Sequence, residues 1–180
     1  WIRVLYGHPE SIDDAFIKTV ASHPNVCPYF DIPIQHVSSP ILKKMGRMYR
    51  SDDLHRLFHK IRSQVPEASL RTTIIVGFPG ETDSRFQELY DFVKWAGFDH
   101  LGVFAYSPEK GTPAARLGEE VAPERARERQ DIIMGLQADI SRRMNQQMVG
   151  KTLPVLVEGL SPETDLLLKG RTSSMAPVDN

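Results

Sequence analysis

Four short apolar runs, at residues 2–6, 29–35, 70–76 and 101–106, alternate with segments of helical periodicity, and this alternation constrains the fold more than any other feature. Each connection is long enough to hold a helix. Strands joined through crossover helices lie parallel, because a tight turn can only send the chain back antiparallel. In the first connection Ser11 and Asp14 have capping-box spacing, Ile12, Phe16, Ile17 and Val20 share a face, and His23-Pro24-Asn25 ends the helix. In the second, Ile41, Leu42 and Met45 mark a short helix. Ser51 is placed to cap a longer one with Leu54, Leu57, Phe58 and Ile61 on its inner face. In the third, Phe86, Leu89, Tyr90 and Val93 form a stripe that stops near Gly97. The strands are almost continuously apolar, the pattern of strands covered on both faces, and Pro33 marks a strand end or edge. The expected class is α/β with a parallel sheet. Four strands cannot close a barrel of this type, and the chain opens in mid-strand at Trp1 without an initiator Met, so further strands are expected before it.

Residues 108–118 read as a loop. Pro123 suits the first turn of a long helix running to about Val149, with Ile133, Leu136, Ile140, Met144 and Met148 on one stripe and Gly150 at its C-terminal cap. Residues 151–158 and 166–169 then read as short strands around a Ser161-Pro162 turn. A domain boundary near Gly150 divides the chain into 1–149 and 150–180, and the second piece, about 30 residues, is too short to complete a sheet domain. The apolar fraction of 41% and charged fraction of 25% exclude a disordered or fibrous chain. A net charge of −1 gives no case for nucleic acid or membrane surfaces. A single cysteine, Cys27, excludes a disulfide framework and a site built from several thiolates, and it points to a reduced, cytoplasmic setting. No apolar run approaches the roughly 18 residues of a membrane span.

In parallel βα folds ligands bind at the C-terminal ends of the strands. That rule selects Gly7-His8-Pro9, Pro33 to His36, Gly77 to Glu81 and Tyr106 to Glu109. Gly77 and Gly80 flank a strand-to-helix turn where backbone can approach a ligand closely, and a ligand-free tight turn is the alternative. Gln35 can both donate to and accept from a sugar diol, or satisfy nearby backbone. Arg47 can clamp a carboxylate, or stand as a solvated charge beside Lys43 and Lys44. His8 and His36 each stand alone in their stretches, and Cys27 reads as a small buried side chain. No Ser-His-Asp arrangement and no metal-ligand spacing is visible.

Taken together, Asp31-Ile32-Pro33-Ile34-Gln35-His36, Ile41-Leu42-Lys43-Lys44-Met45-Gly46-Arg47, residues 70–82 ending Gly77-Phe78-Pro79-Gly80-Glu81-Thr82, and Tyr106-Ser107-Pro108-Glu109-Lys110-Gly111-Thr112-Pro113-Ala114 resemble the methylthiotransferase family of radical S-adenosylmethionine enzymes. The resemblance implies a partial (βα) barrel, of which this chain carries the last four of six strands. A TRAM domain, a small β-barrel that docks RNA or protein, would begin at residue 150. It implies S-adenosylmethionine as cofactor and 4Fe-4S clusters whose cysteines lie upstream, so residues 1–180 alone would hold no metal and no catalytic residue. Gln35 would bind the ribose, Arg47 the carboxylate, and the Val76–Gly77 backbone the adenosine; Arg171 would belong to the docking face. An external electron donor would start the reaction. The Gln35-His36 pair, the Leu70-Arg71-Thr72-Thr73 run and the tail from Gly170 to Asp179 resemble the branch that modifies an aspartate of a small-subunit ribosomal protein. The alternative branch modifies an adenosine of transfer RNA and carries Gln-Ser-Gly where this chain has Gln35-His36-Val37. A third reading is a docking module for ribosomal protein or RNA without chemistry. The chain departs from the family at three points: Thr73 replaces the first glycine of the strand motif, Glu81 falls one residue late, and no Glu stands between Pro177 and Val178.

Overall fold

Strand β2 (Ser69–Val76) is the middle of a parallel sheet in the order β1-β2-β3, with β1 at Tyr29–Asp31 and β3 at His100–Ala105. The computed structural model describes residues 1–179. Helices α1 (Asp14–Ser22), α2 (Ser39–Lys44), α3 (Ser51–Gln64) and α4 (Asp83–Ala96) fill the connections as the periodicity requires, and α5 (Pro123–Met148) follows β3. The alternating residues Leu70, Thr72, Ile74 and Val76 of β2 are fully buried. Behind them Phe58, Phe92 and Phe98 meet edge to face or tilted, with ring centroids 5.2 to 6.2 Å apart. Ile133 and Ile140 of α5 join this core with Leu136 and Met144 at its margin, whereas Met148 at the end of the expected stripe is exposed.

Cover on both faces holds less well. Thr73 and Ile75 on the other face of β2 are half-buried, and Phe104, which is in register with Ile75, is 59% exposed. The expected first strand is also reduced. Only Ile2 pairs, as a parallel bridge with Val26, because Tyr6 turns into the left-handed region at φ +58° and its N–H goes to the Asp31 side chain instead of a ladder. Pro33 cuts β1 short, since it has no N–H to donate. Thr72 repairs the gap: its hydroxyl donates to the Ile32 carbonyl at 2.7 Å and accepts from the Ile34 N–H at 3.3 Å. Pairing resumes at Gln35.

Two caps lie elsewhere than the sequence suggests. Ser11 is taken up in a 3-10 turn at Pro9–Ser11, so Asp13 caps α1 by accepting from the Phe16 N–H at 2.7 Å. Arg50 precedes α3, and the Asp53 carboxylate accepts its N–H at 2.8 Å, leaving Ser51 as the first helical residue. Gly97 closes α4 at φ +56°, where a side chain would be strained.

After α5 the chain forms an antiparallel hairpin, β4 (Leu156–Ser161) and β5 (Thr164–Arg171), turning at Pro162 and Glu163. Leu160, Leu166 and Leu168 on it are exposed. The chain then returns to the parallel sheet. Ser69 Oγ and Arg3 donate to the Ser174 and Ser173 carbonyls, and Asp179 is buried against Tyr29 and Arg71. Residues 172–179 therefore pack on the N-terminal edge of the sheet, not on the hairpin they follow.

Candidate functional site

Gln35 stands at the C-terminal end of the β1 line with φ +63°, a conformation costing about 1–2 kcal/mol for a residue with a Cβ. Two backbone bonds hold it there: its N–H donates to the Thr73 carbonyl at 2.9 Å, and its carbonyl accepts from Ile75 at 2.7 Å. The side-chain amide has no partner among the described residues. Strain at a strand end with an unengaged amide is the pattern of a residue held out for a ligand.

The next residue, His36, is fully buried. Its Nδ1 accepts from the Ser38 N–H at 2.9 Å, so the proton sits on Nε2 and donates to Glu81 Oε1 at 3.3 Å. Glu81 Oε2 accepts from the Gly77 N–H and from Arg129 at 2.9 Å. Arg129 also donates to the Glu81 carbonyl at 2.8 Å and to Asp83 at 2.7 Å. The Glu81 side chain is 0% exposed and that of Arg129 4%, so this network fastens the end of β1, the turn after β2 and α5 together in a dry setting. The guanidinium of Arg125, and then that of Arg129, hold the exposed Asp83 carboxyl below the usual carboxylate range.

Arg47 follows α2, with its N–H on the Leu42 carbonyl. Its Nη1 lies 3.2 Å from His8 Nε2, and its Nε is buried without a partner. His8 meets the Tyr49 ring edge-on at 5.6 Å, and the Tyr49 hydroxyl donates to the Ile34 carbonyl at 3.0 Å. Burial pushes the Tyr49 phenol up to about 12, although nearby Arg47 pulls it down. Arg47 is thus connected through His8 and Tyr49 to the carbonyl of the residue before Gln35, at one end of the sheet.

Val76 is buried, and its carbonyl accepts from the Tyr106 N–H at 2.8 Å. Gly77, at φ +73°, has its N–H committed to Glu81, and any Cβ there would collide with Ala126 of α5. The glycine is required by helix packing, and its amide is not available for a ligand bond; what Val76 and Gly77 can offer is the surface of their peptide. Beside them Pro79, Tyr106, Pro108, Val121 and Pro123 line a pocket of about 90 Å³, and the Tyr106 hydroxyl is buried without a partner. Arg171 lies away from this end, on the hairpin, where it pairs with Glu158 at 2.6 Å and is 12% exposed.

The sequence marked Gln35, Arg47 and Gly77 but missed the groups that hold them. His8 and His36 read as isolated, yet each has a charged partner, and Arg129 was one charge among many on α5. The Glu81–Arg129 pair spans 48 residues and the His8–Arg47 pair 39, distances over which no local pattern operates. Among the described residues no group of three or more His, Cys, Asp or Glu side chains could hold a metal ion.

Comparison with known proteins identifies the family of the chain. The family model of the Radical SAM superfamily matches residues 4–93. The ribosomal protein uS12 methylthiotransferase RimO of Syntrophobacter fumaroxidans is 51% identical over 177 residues, covering 98% of this chain and 39% of that protein. The proteins of the same name from Geobacter sulfurreducens and Bdellovibrio bacteriovorus are 48% and 44% identical, and the chain covers 40% and 39% of them. The chain thus spans about two-fifths of the length of these relatives. Among solved structures, the radical SAM enzyme coproporphyrinogen III oxidase (HemN) of Escherichia coli aligns with a TM-score of 0.60 at 16% identity, over 77% of this chain and 32% of that one, a likeness of fold.

Proposed function

Because the chain belongs to the Radical SAM superfamily, we propose that it is the S-adenosylmethionine-holding part of a methylthiotransferase that modifies an aspartate of the small-subunit ribosomal protein uS12. The observation that carries this is the placing of two groups with free donors, the Gln35 amide and Nε of the Arg47 guanidinium, at the same end of the sheet. They fit the cofactor: Arg47 can fork onto its carboxylate, Gln35 can bond the ribose hydroxyls, and the Val76–Gly77 peptide can pack against the adenine. When bound, S-adenosylmethionine supplies the reactive sulfonium. The residues of this chain bind and orient it and, through the dry His36–Glu81–Arg129 network behind them, fix the strand ends that carry them.

The chain's own residues do not fit a 4Fe-4S cluster. Cys27 is the one cysteine, and it is buried against Tyr29 and Ala176 at the N-terminal edge of the sheet, far from Gln35. Cluster ligands and the site of electron entry from a reduced donor belong to the remainder of the full-length enzyme in this reading. The β4–β5 hairpin would open a TRAM domain that docks the substrate protein, or RNA near it, with Arg171 stiffening the hairpin through Glu158. A ribosomal protein substrate places the enzyme in the cytoplasm, and no helix of the described residues is long and apolar enough to cross a membrane.

The test is mass spectrometry of uS12 and of transfer RNA from a strain lacking the gene. Loss of the methylthio mass from the uS12 aspartate, restored by the gene, is expected. A uS12 that keeps it while transfer RNA loses its own would replace this reading with the transfer RNA enzyme.

A further inference from the structure

We propose that His8 is a positioning residue that aims Arg47; the inference rests on the reading that Arg47 holds the cofactor carboxylate. A guanidinium has only donors. At 3.2 Å from Arg47 Nη1, His8 Nε2 must therefore be the acceptor and carry no proton. In the neutral ring the proton is then on Nδ1, which faces the Glu10 carboxylate at 3.6 Å. The Glu10 backbone N–H, 3.4 Å from the same Nδ1, donates to it only in the other tautomer, which would turn an N–H toward the Arg47 guanidinium; the shorter contact from a charged donor decides between the two.

The ring is not free to turn. It lies edge-on to Tyr49, and its loop hangs from the end of β1 by the Gly7 N–H on the Asp31 carbonyl at 2.8 Å and the Tyr6 N–H on the Asp31 carboxylate at 3.0 Å. Gly7 allows that approach, since a Cβ there would lie against Ile12 and 3.3 Å from the Asp31 carbonyl.

With Nη1 engaged by His8, the opposite edge of the guanidinium, Nε and Nη2, remains for a side-on fork to a carboxylate, and Nε has no other partner. An unaimed arginine would have to lose its side-chain freedom on binding, a cost that a fixed acceptor removes beforehand.

Calorimetric titration of the full-length protein with S-adenosylhomocysteine and with methylthioadenosine, which lacks the amino-acid end, tests this. His8→Phe should weaken the first ligand about five- to tenfold and leave the second unchanged, while His8→Gln, which keeps an acceptor near the Nε2 position, should restore most of the loss. Equal weakening of both ligands by His8→Phe, or no recovery in His8→Gln, would show a merely structural histidine and overturn the proposal. Unchanged affinity in His8→Phe beside a weakened Arg47→Ala would overturn it while leaving the cofactor reading intact. Unchanged affinity in Arg47→Ala would remove the premise and the proposal together.

Discussion

Asp179, near the end of the chain, and Arg71, in the middle strand, form a 3.1 Å ion pair across 108 residues, with the Asp179 side chain 1% exposed. The same carboxylate accepts from the Tyr29 hydroxyl at 2.8 Å and from the Ala176 N–H at 2.7 Å, so it is satisfied on both oxygens. Asp179→Ala leaves a largely buried guanidinium with one carboxylate, Asp31, instead of two. A loss of about 2–4 kcal/mol is expected, read by urea unfolding. A loss under about 0.5 kcal/mol would mean that the tail merely rests on the sheet.

Alkaline pH should loosen the fold. Burial, and then the bond to Asp179, hold the Tyr29 phenol far above its ordinary value, and burial raises Tyr49 to about 12. A folded pKa above the unfolded one means that the folded state keeps protons which the unfolded chain releases. Stability is therefore fully present below pH of about 10 and falls as pH rises from there. Thermal melts between pH 9 and 11.5 should show the decline, and Tyr49→Phe should flatten part of it. An unchanged slope in that variant would assign the decline to other groups.

The Glu81–Arg129 pair should behave as a unit. Glu81→Leu strands Arg129 in a dry site and should cost about 3–5 kcal/mol, whereas adding Arg129→Met should recover a large part of it. A double-mutant cycle by chemical denaturation measures the coupling; additive losses would show that the two side chains act independently.

At Gln35 stability and binding should move in opposite directions. Gln35→Gly relieves the left-handed backbone and should stabilise by up to about 1 kcal/mol, less the extra entropy of glycine in the unfolded chain. The same change removes the amide and should weaken S-adenosylmethionine binding several-fold. Melting temperature and titration of one variant test both halves, and unchanged affinity would mean that the amide touches no ligand.

The elements were legible because apolar spacing is local: the face of α3 at Leu54, Phe58 and Ile61 and the buried alternation of β2 follow directly from it. The first strand was overdrawn, since its composition cannot show that Tyr6 leaves the extended region. Gln35 and Gly77 stood out by position at strand ends. His8–Arg47 and Glu81–Arg129 did not, because which charge meets which is decided by how α2 and α5 lie on the sheet.

The returning tail gives the hairpin two roots in the same body. It departs through α5, whose Gln137 donates to the Phe98 carbonyl at 2.8 Å, and it comes home through Ser173, Ser174 and Asp179 at the starts of the parallel strands. A module on a single stalk can swivel about one peptide, whereas one anchored at both ends is a bridge. A load on β4 or β5 is shared between the helix and the sheet floor, so the hairpin sits at a set reach from the parallel strands rather than on a free tether.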